Sequence, residues 1–137
     1  MTTHTGGCLC GEIRYEITGD PVRAANCHCD ECRKATGASF ATVAFFNADD
    51  VKIVQGTPKQ FFHSADSGAT MTKEFCGNCG SQVLGAGSRS PGVRSVRVGS
   101  LDDASFVVPQ MDLYTGKALP FTCLSDKTEH FEAGRKR

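Results

Sequence analysis

The 137-residue chain balances fifteen lysines and arginines against fifteen aspartates and glutamates, and its longest basic run is the terminal Arg135-Lys136-Arg137. A charge pattern of that kind lacks the cationic stripe that nucleic-acid binding needs. No apolar run approaches the ~18 residues of a membrane helix, and the polar residues 1–7 lack a signal-peptide core, so the chain reads as one soluble, cytoplasmic domain over 1–137 with no membrane partner.

In chain order the sequence is mostly β. Gly7-Cys8-Leu9-Cys10-Gly11 is a glycine-flanked knuckle in which backbone amides can turn toward the sulfurs. Ile13, Tyr15 and Ile17 then alternate with Glu12, Arg14 and Glu16, the period of a half-buried strand, which Gly19-Asp20-Pro21 ends. A short strand over 22–26 delivers Cys27-His28-Cys29-Asp30-Glu31-Cys32, and Asp30 is placed to cap a brief helix that Gly37 stops after Thr36. Strands are expected over 39–46 and 51–54, about Phe61 and Phe62, and over 71–75, which runs into the knuckle Cys76-Gly77-Asn78-Cys79-Gly80. Beyond it, 82–84 and 93–98 read as strands separated by a flexible loop over 85–92, a candidate lid or specificity element. Residues 100–103 resemble a helix start, 106–108 and 110–114 are extended, and Lys127 to Arg137 reads as a frayed polar tail.

Eight cysteines without an export signal argue against a secreted disulfide framework, and seven of them fall in three tight clusters. Thiols spaced by one or two residues reach a single metal ion more readily than they form an unstrained disulfide with each other. Cys8 and Cys10 together with Cys76 and Cys79 make a closed tetrahedral set with no free position, the pattern of a structural zinc. Cys27, Cys29 and Cys32 then remain as three ligands with an open fourth position. Such a position suits a thiol substrate, because a metal-bound thiol ionises near neutral pH, and the adjacent Arg33 and Lys34 would attract the carboxylates of an anionic thiol.

The ordered combination of Gly7-Cys8-Leu9-Cys10-Gly11, Cys27-His28-Cys29-Asp30-Glu31-Cys32-Arg33-Lys34 with Thr36-Gly37, and Phe75-Cys76-Gly77-Asn78-Cys79-Gly80-Ser81 resembles the glutathione-dependent formaldehyde-activating enzyme family. The likeness extends to Val98-Gly99-Ser100-Leu101-Asp102 and to Leu119-Pro120-Phe121. It implies an all-β fold of stacked antiparallel sheets with short helices. It also implies a structural zinc at Cys8, Cys10, Cys76 and Cys79, and a second, labile and catalytic zinc at Cys27, Cys29 and Cys32. The implied reaction joins glutathione and formaldehyde as S-hydroxymethylglutathione, a carbon–sulfur lyase reaction when written in reverse.

Other readings of the same residues stand beside this one. The three-cysteine cluster becomes a second structural zinc if His63 or Cys123 closes it, which would make the protein a zinc-stabilised binding or chaperone-like module. Cys29 and Cys32 used as a dithiol would make it a redox or zinc-buffering protein. His28, between two ligands in an extended segment, points away from the ion and is expected near the site or at the surface. His63 could act as a base but, beside Phe61 and Phe62, reads first as packing or edge-strand decoration, Cys123 as a small buried hydrophobe, and the nine phenylalanines as core. The pairs Asp49-Asp50 and Asp102-Asp103 read as turn and helix-start residues.

Overall fold

A computed structural model describes residues 2–135; Met1, Lys136 and Arg137, and with them most of the terminal basic run, lie outside the described residues. The alternation of Tyr15 and Ile17 with Glu16 forms β2 (Arg14–Thr18), whose apolar side chains are buried while Glu16 is exposed. Antiparallel partners on either side are β1 (Thr3–Gly7) and β5 (Val51–Gln55), giving a three-stranded sheet in the order β1-β2-β5. Gly6 in β1 lies so close to this partner that a Cβ there would sit 2.3 Å from the Tyr15 hydroxyl oxygen.

The second sheet has eight strands: β3 (Arg23–Cys27), β4 (Ala41–Asn47), β6 (Lys59–Ser64), β7 (Thr70–Phe75), β8 (Gln82–Gly87), β9 (Val93–Arg97), β10 (Met111–Leu113) and β11 (Glu129–His130). Their order is β11-β10-β3-β4-β9-β8-β7-β6. The fold is all-β as the sequence implies, with one departure from a purely antiparallel plan: β10 runs parallel to both β3 and β11. One buried cluster joins the faces of the two sheets, with Tyr15, Ile17 and Val51 from the smaller sheet meeting Phe46, Val83, Leu84 and Val96 from the larger.

The helix α1 (Asp30–Thr36) follows β3 directly, and its cap differs from expectation. Cys29 rather than Asp30 is the N-cap: its sulfur accepts the Cys32 backbone N–H at 3.3 Å. At the other end Gly37 adopts φ 70°, the left-handed turn that favours glycine, and closes the helix on the Arg33 carbonyl.

Several segments depart from their sequence readings for identifiable reasons. The strand predicted over 82–84 continues to Gly87, because Gly85 pairs with both Lys73 and Ser95 where a side chain would collide with the Thr72 carbonyl. Residues 98–100 form a 3-10 turn rather than the start of a helix at Ser100, and Asp102 beyond it accepts hydrogen bonds from Thr5 and Arg14. Residues 106–108 are not a strand. The segment from Lys127 is polar but not frayed as far as Ala133: its backbone bonds to Gln110, Asp112, Tyr114 and Thr115. The phenylalanines divide, with Phe46 fully buried while Phe61 and Phe62, on the sheet's edge strand β6, are 58% and 59% exposed.

Candidate metal centres and the cavity beside them

The first thiol group forms where the turn after β1 meets the turn after β7. The sulfurs of Cys8, Cys10, Cys76 and Cys79 all lie within 4.8 Å of one another. The Cys8–Cys10 and Cys10–Cys76 separations are 3.6 and 3.7 Å. Both exceed the ~2.05 Å of a disulfide and approach the ~3.8 Å edge of a tetrahedron with zinc–sulfur bonds of 2.3 Å. Backbone amides turn toward the sulfurs: Ile13 N–H donates to Cys8 at 3.2 Å and Asn78 N–H to Cys76 at 3.4 Å. The Ser81 hydroxyl bonds the Cys79 sulfur at 3.3 Å, and with nearby backbone amides it holds that thiol down, to about 5. A set of sulfurs placed and hydrogen-bonded in this way fits zinc.

The second group is made by β3 and α1 alone. Cys27 ends the strand, Cys29 caps the helix and Cys32 lies in its first turn, so strand-to-helix geometry brings the three half-buried sulfurs together. Cys27 and Cys29 are 3.4 Å apart. Hydrogen bonds from Cys27 and Cys29 hold the Cys32 thiol far below its usual range, with Arg97 assisting, while Cys29 and Cys32 push the Cys27 thiol up. Neither His63 nor Cys123 joins this group, and Cys123 is exposed rather than buried.

His28 is outside the ligand set, as its position between two cysteines predicts, but it is an anchor and not a surface residue. It is 1% exposed, stacks at an angle near Phe40, and places Nε2 2.7 Å from Asp112 Oδ1. Thr128 donates to the other Asp112 oxygen at 2.5 Å, so β3, β10 and the chain's end are tied together behind the three cysteines.

A cavity of about 550 Å³ opens at the second group, bordered by Cys27, Cys29 and Cys32 at one end and by Ala25, Val43 and Met71 along an apolar wall. Its charged lining carries Arg23, Lys73, Arg89, Arg97, Lys117 and Arg135 against Asp30, Glu31 and Asp66. Arg33 and Lys34, the cations suggested by the sequence, do not border it; Arg33 turns to Asp30 at 3.1 Å. Arg89 and Ser90 of the expected 85–92 loop do border it, as does Tyr114, the one non-glycine residue with positive φ among the described residues (57°). Burial and the nearby Cys27 and Cys29 push the Tyr114 phenol up. A second hollow, of about 670 Å³, lies beside Cys8 and Leu9 and shares only Arg97 with the first.

Lys73 is the residue that sequence reasoning missed. It is 8% exposed, its amine lies 2.5 Å from His63 Nε2, and His63 Nδ1 faces Glu31 of α1 at 3.9 Å. Burial draws the amine's pKa down, opposed by the Cys32 charge. A lysine between Thr72 and Glu74 in an alternating strand carries no sequence signal of this burial; the pairing of Lys73 with Gly85 does, once the strand is known.

Such features define a β-sheet protein with two thiol centres suited to zinc, one with four cysteines and one with three that opens on a cationic cavity. Residues 3–117 match the model of the glutathione-dependent formaldehyde-activating enzyme family, and the chain belongs to that family. The match stops short of Leu119-Pro120-Phe121, so that part of the sequence likeness is not carried by it. A Rhodobacter sphaeroides protein of known crystal structure is similar, with 25% identity and a TM-score of 0.56 over 72% of this chain and 87% of that one. No helix among the described residues is long and apolar enough to cross a membrane.

Proposed function

We propose that this protein is a carbon–sulfur lyase-type enzyme that makes or breaks the adduct between a glutathione-like thiol and formaldehyde or another small aldehyde. In this reading Cys8, Cys10, Cys76 and Cys79 hold a structural zinc, and Cys27, Cys29 and Cys32 hold a second, exchangeable one. The observation that carries the reading is the three-cysteine centre facing a cavity lined by more cations than acids. Glutathione, with two carboxylates and one ammonium, is the kind of anion such a lining attracts. Eight free thiols also suit the reducing cytoplasm in which glutathione is abundant.

Zinc bound at Cys27, Cys29 and Cys32 would supply positive charge that favours the thiolate over the thiol. The chain's own groups do the rest. The cationic rim binds the carboxylates, and the wall of Ala25, Val43 and Met71 keeps water from the reacting sulfur. In the forward direction the carbon–sulfur bond forms, the carbonyl π bond opens, and the thiol proton ends on the carbinol oxygen.

Zinc content measured before and after dialysis against glutathione, with Cys29→Ser alongside, tests the site. Adduct exchange followed by NMR with formaldehyde tests the reaction. The reading expects one exchangeable zinc or retained thiol on the wild type only, and faster exchange with zinc-loaded protein. Two firmly held zincs, no bound thiol and an unchanged rate at high enzyme would refute it.

A further inference from the structure

The reaction moves a proton from sulfur to oxygen, and the three cysteines offer no group to carry it. Among the side chains bordering the cavity, Lys73 is placed to do so. Lys73 borders the same cavity as Cys27, Cys29 and Cys32, is almost wholly buried, and has its amine within hydrogen-bond distance of His63 Nε2. His63 sits on the edge strand β6, directly beside β7, with its side chain 18% exposed, so the contact runs from the cavity toward solvent. Glu31 faces the opposite ring nitrogen, which favours a proton on Nδ1 and leaves Nε2 as the acceptor for the lysine.

We infer that Lys73, oriented by His63, carries the proton from the incoming thiol to the oxygen of the adduct, with His63 as its exchange path to water. The inference rests on the proposed thiol–aldehyde reaction. As the carbon–sulfur bond forms and the carbonyl π electrons move to oxygen, the thiol proton passes to the Lys73 amine and from there to the new alkoxide; breakdown is the reverse. Atoms and charge balance with no further reactant. His63 from β6 bonds the amine, and the charged groups that act on it through space are Cys32 and Glu31 from α1, Cys29 at its N-cap and Arg97 from β9. Burial draws the amine's pKa down, with Arg97 assisting, the direction a proton carrier needs.

The test uses the zinc-loaded full-length protein with Lys73→Met, Lys73→Arg and His63→Ala, and glutathione as the probe. Proton release on glutathione binding is read by calorimetry in buffers of different ionisation enthalpy. Both Lys73 variants are expected to release about one more proton per bound glutathione than the wild type, which keeps that proton on Lys73. Formaldehyde exchange by NMR should fall roughly 100-fold or more in Lys73→Arg as in Lys73→Met, since a guanidinium does not give up its proton near neutral pH. His63→Ala, at an edge-strand position where folding is least at risk, should move the limb of the pH–rate profile to lower pH, because the ammonium loses its acceptor. Wild-type exchange in Lys73→Arg, or equal proton release by wild type and both Lys73 variants, would overturn the inference while leaving the thiol–aldehyde reaction intact. Wild-type protein that binds no glutathione would overturn both.

Discussion

Exchanging Cys76 for serine should damage the fold far more than the same change at Cys29, and the difference can be worked from the chain's geometry. Cys10 and Cys76 are 66 residues apart in sequence, so an ion that joins them closes a long loop. On a loop-closure argument such a clip destabilises the unfolded chain by roughly 4 kcal/mol, against about 2 kcal/mol for the short segment from Cys27 to Cys32. Burial widens the gap. Cys76 is 1% exposed, so a serine there leaves a hydroxyl in the core, whereas Cys29 is half-buried and is already a helix N-cap, a role that serine fills well. At about 4 °C per kcal/mol for a chain of this length, the loop term alone separates the two melting temperatures by roughly 8 °C, with Cys76→Ser the lower. Thermal unfolding in reducing buffer with excess zinc, with zinc content measured in parallel, reads the difference. Equal falls in the two variants would refute the division of the centres into a staple and an exchangeable site.

Two further substitutions probe the frame around the site. Tyr15 is fully buried with its hydroxyl 2.7 Å from Ser100 Oγ, and burial pushes its phenol up to about 12 although Ser100 opposes the shift. The folded chain therefore keeps a proton that the unfolded chain gives up near pH 10, and stability should decline by roughly 3 kcal/mol as pH rises from 10 to about 12. Tyr15→Phe should cost about 1 kcal/mol at neutral pH and flatten that alkaline decline in urea titrations; an unchanged slope would mean that other groups cause it. Asp112→Asn should weaken the acceptor shared by His28 and Thr128 by about 1–3 kcal/mol. Hydrogen exchange should accelerate at β11 and the backbone that follows it, with zinc content unchanged; protection identical to the wild type would show that this network does not hold the chain's end.

How much could be seen in advance depended on the range of the interaction. The three cysteine clusters were legible because ligand spacing is a local property: one turn of chain fixes which sulfurs meet, and only the joining of Cys8 and Cys10 to Cys76 and Cys79 needed a count. The alternation of Ile13, Tyr15 and Ile17 was legible for the same reason. Gly85 was misread because glycine punctuates loops more often than it allows a close approach within a sheet, and that one misreading shortened β8 and turned strand into lid. The cavity's cations were out of reach. Arg23, Lys73, Arg97 and Lys117 come from distant parts of the chain and converge only through strand order, whereas Arg33 and Lys34, the cations nearest to the cysteines in sequence, lie outside the cavity.

A chain of side chains also runs from the smaller sheet to the three-cysteine centre. Tyr15 of β2 meets Ser100, whose hydroxyl donates to the Arg97 carbonyl at 2.7 Å, and the Arg97 side chain in turn favours the ionised form of Cys32. Arg97 borders both hollows, so the hydrogen-bonded path runs from the core of the smaller sheet to the three-cysteine centre. On the proposed reading, this would give a structural zinc at the four cysteines a function beyond stability. By fixing the turn after β1 against the turn after β7, a zinc there would fix β2 and Ser100, and through them the cation beside Cys32. On the proposed division of the centres, the one that exchanges its ligand would take its rigidity from the neighbouring one rather than from its own bonds.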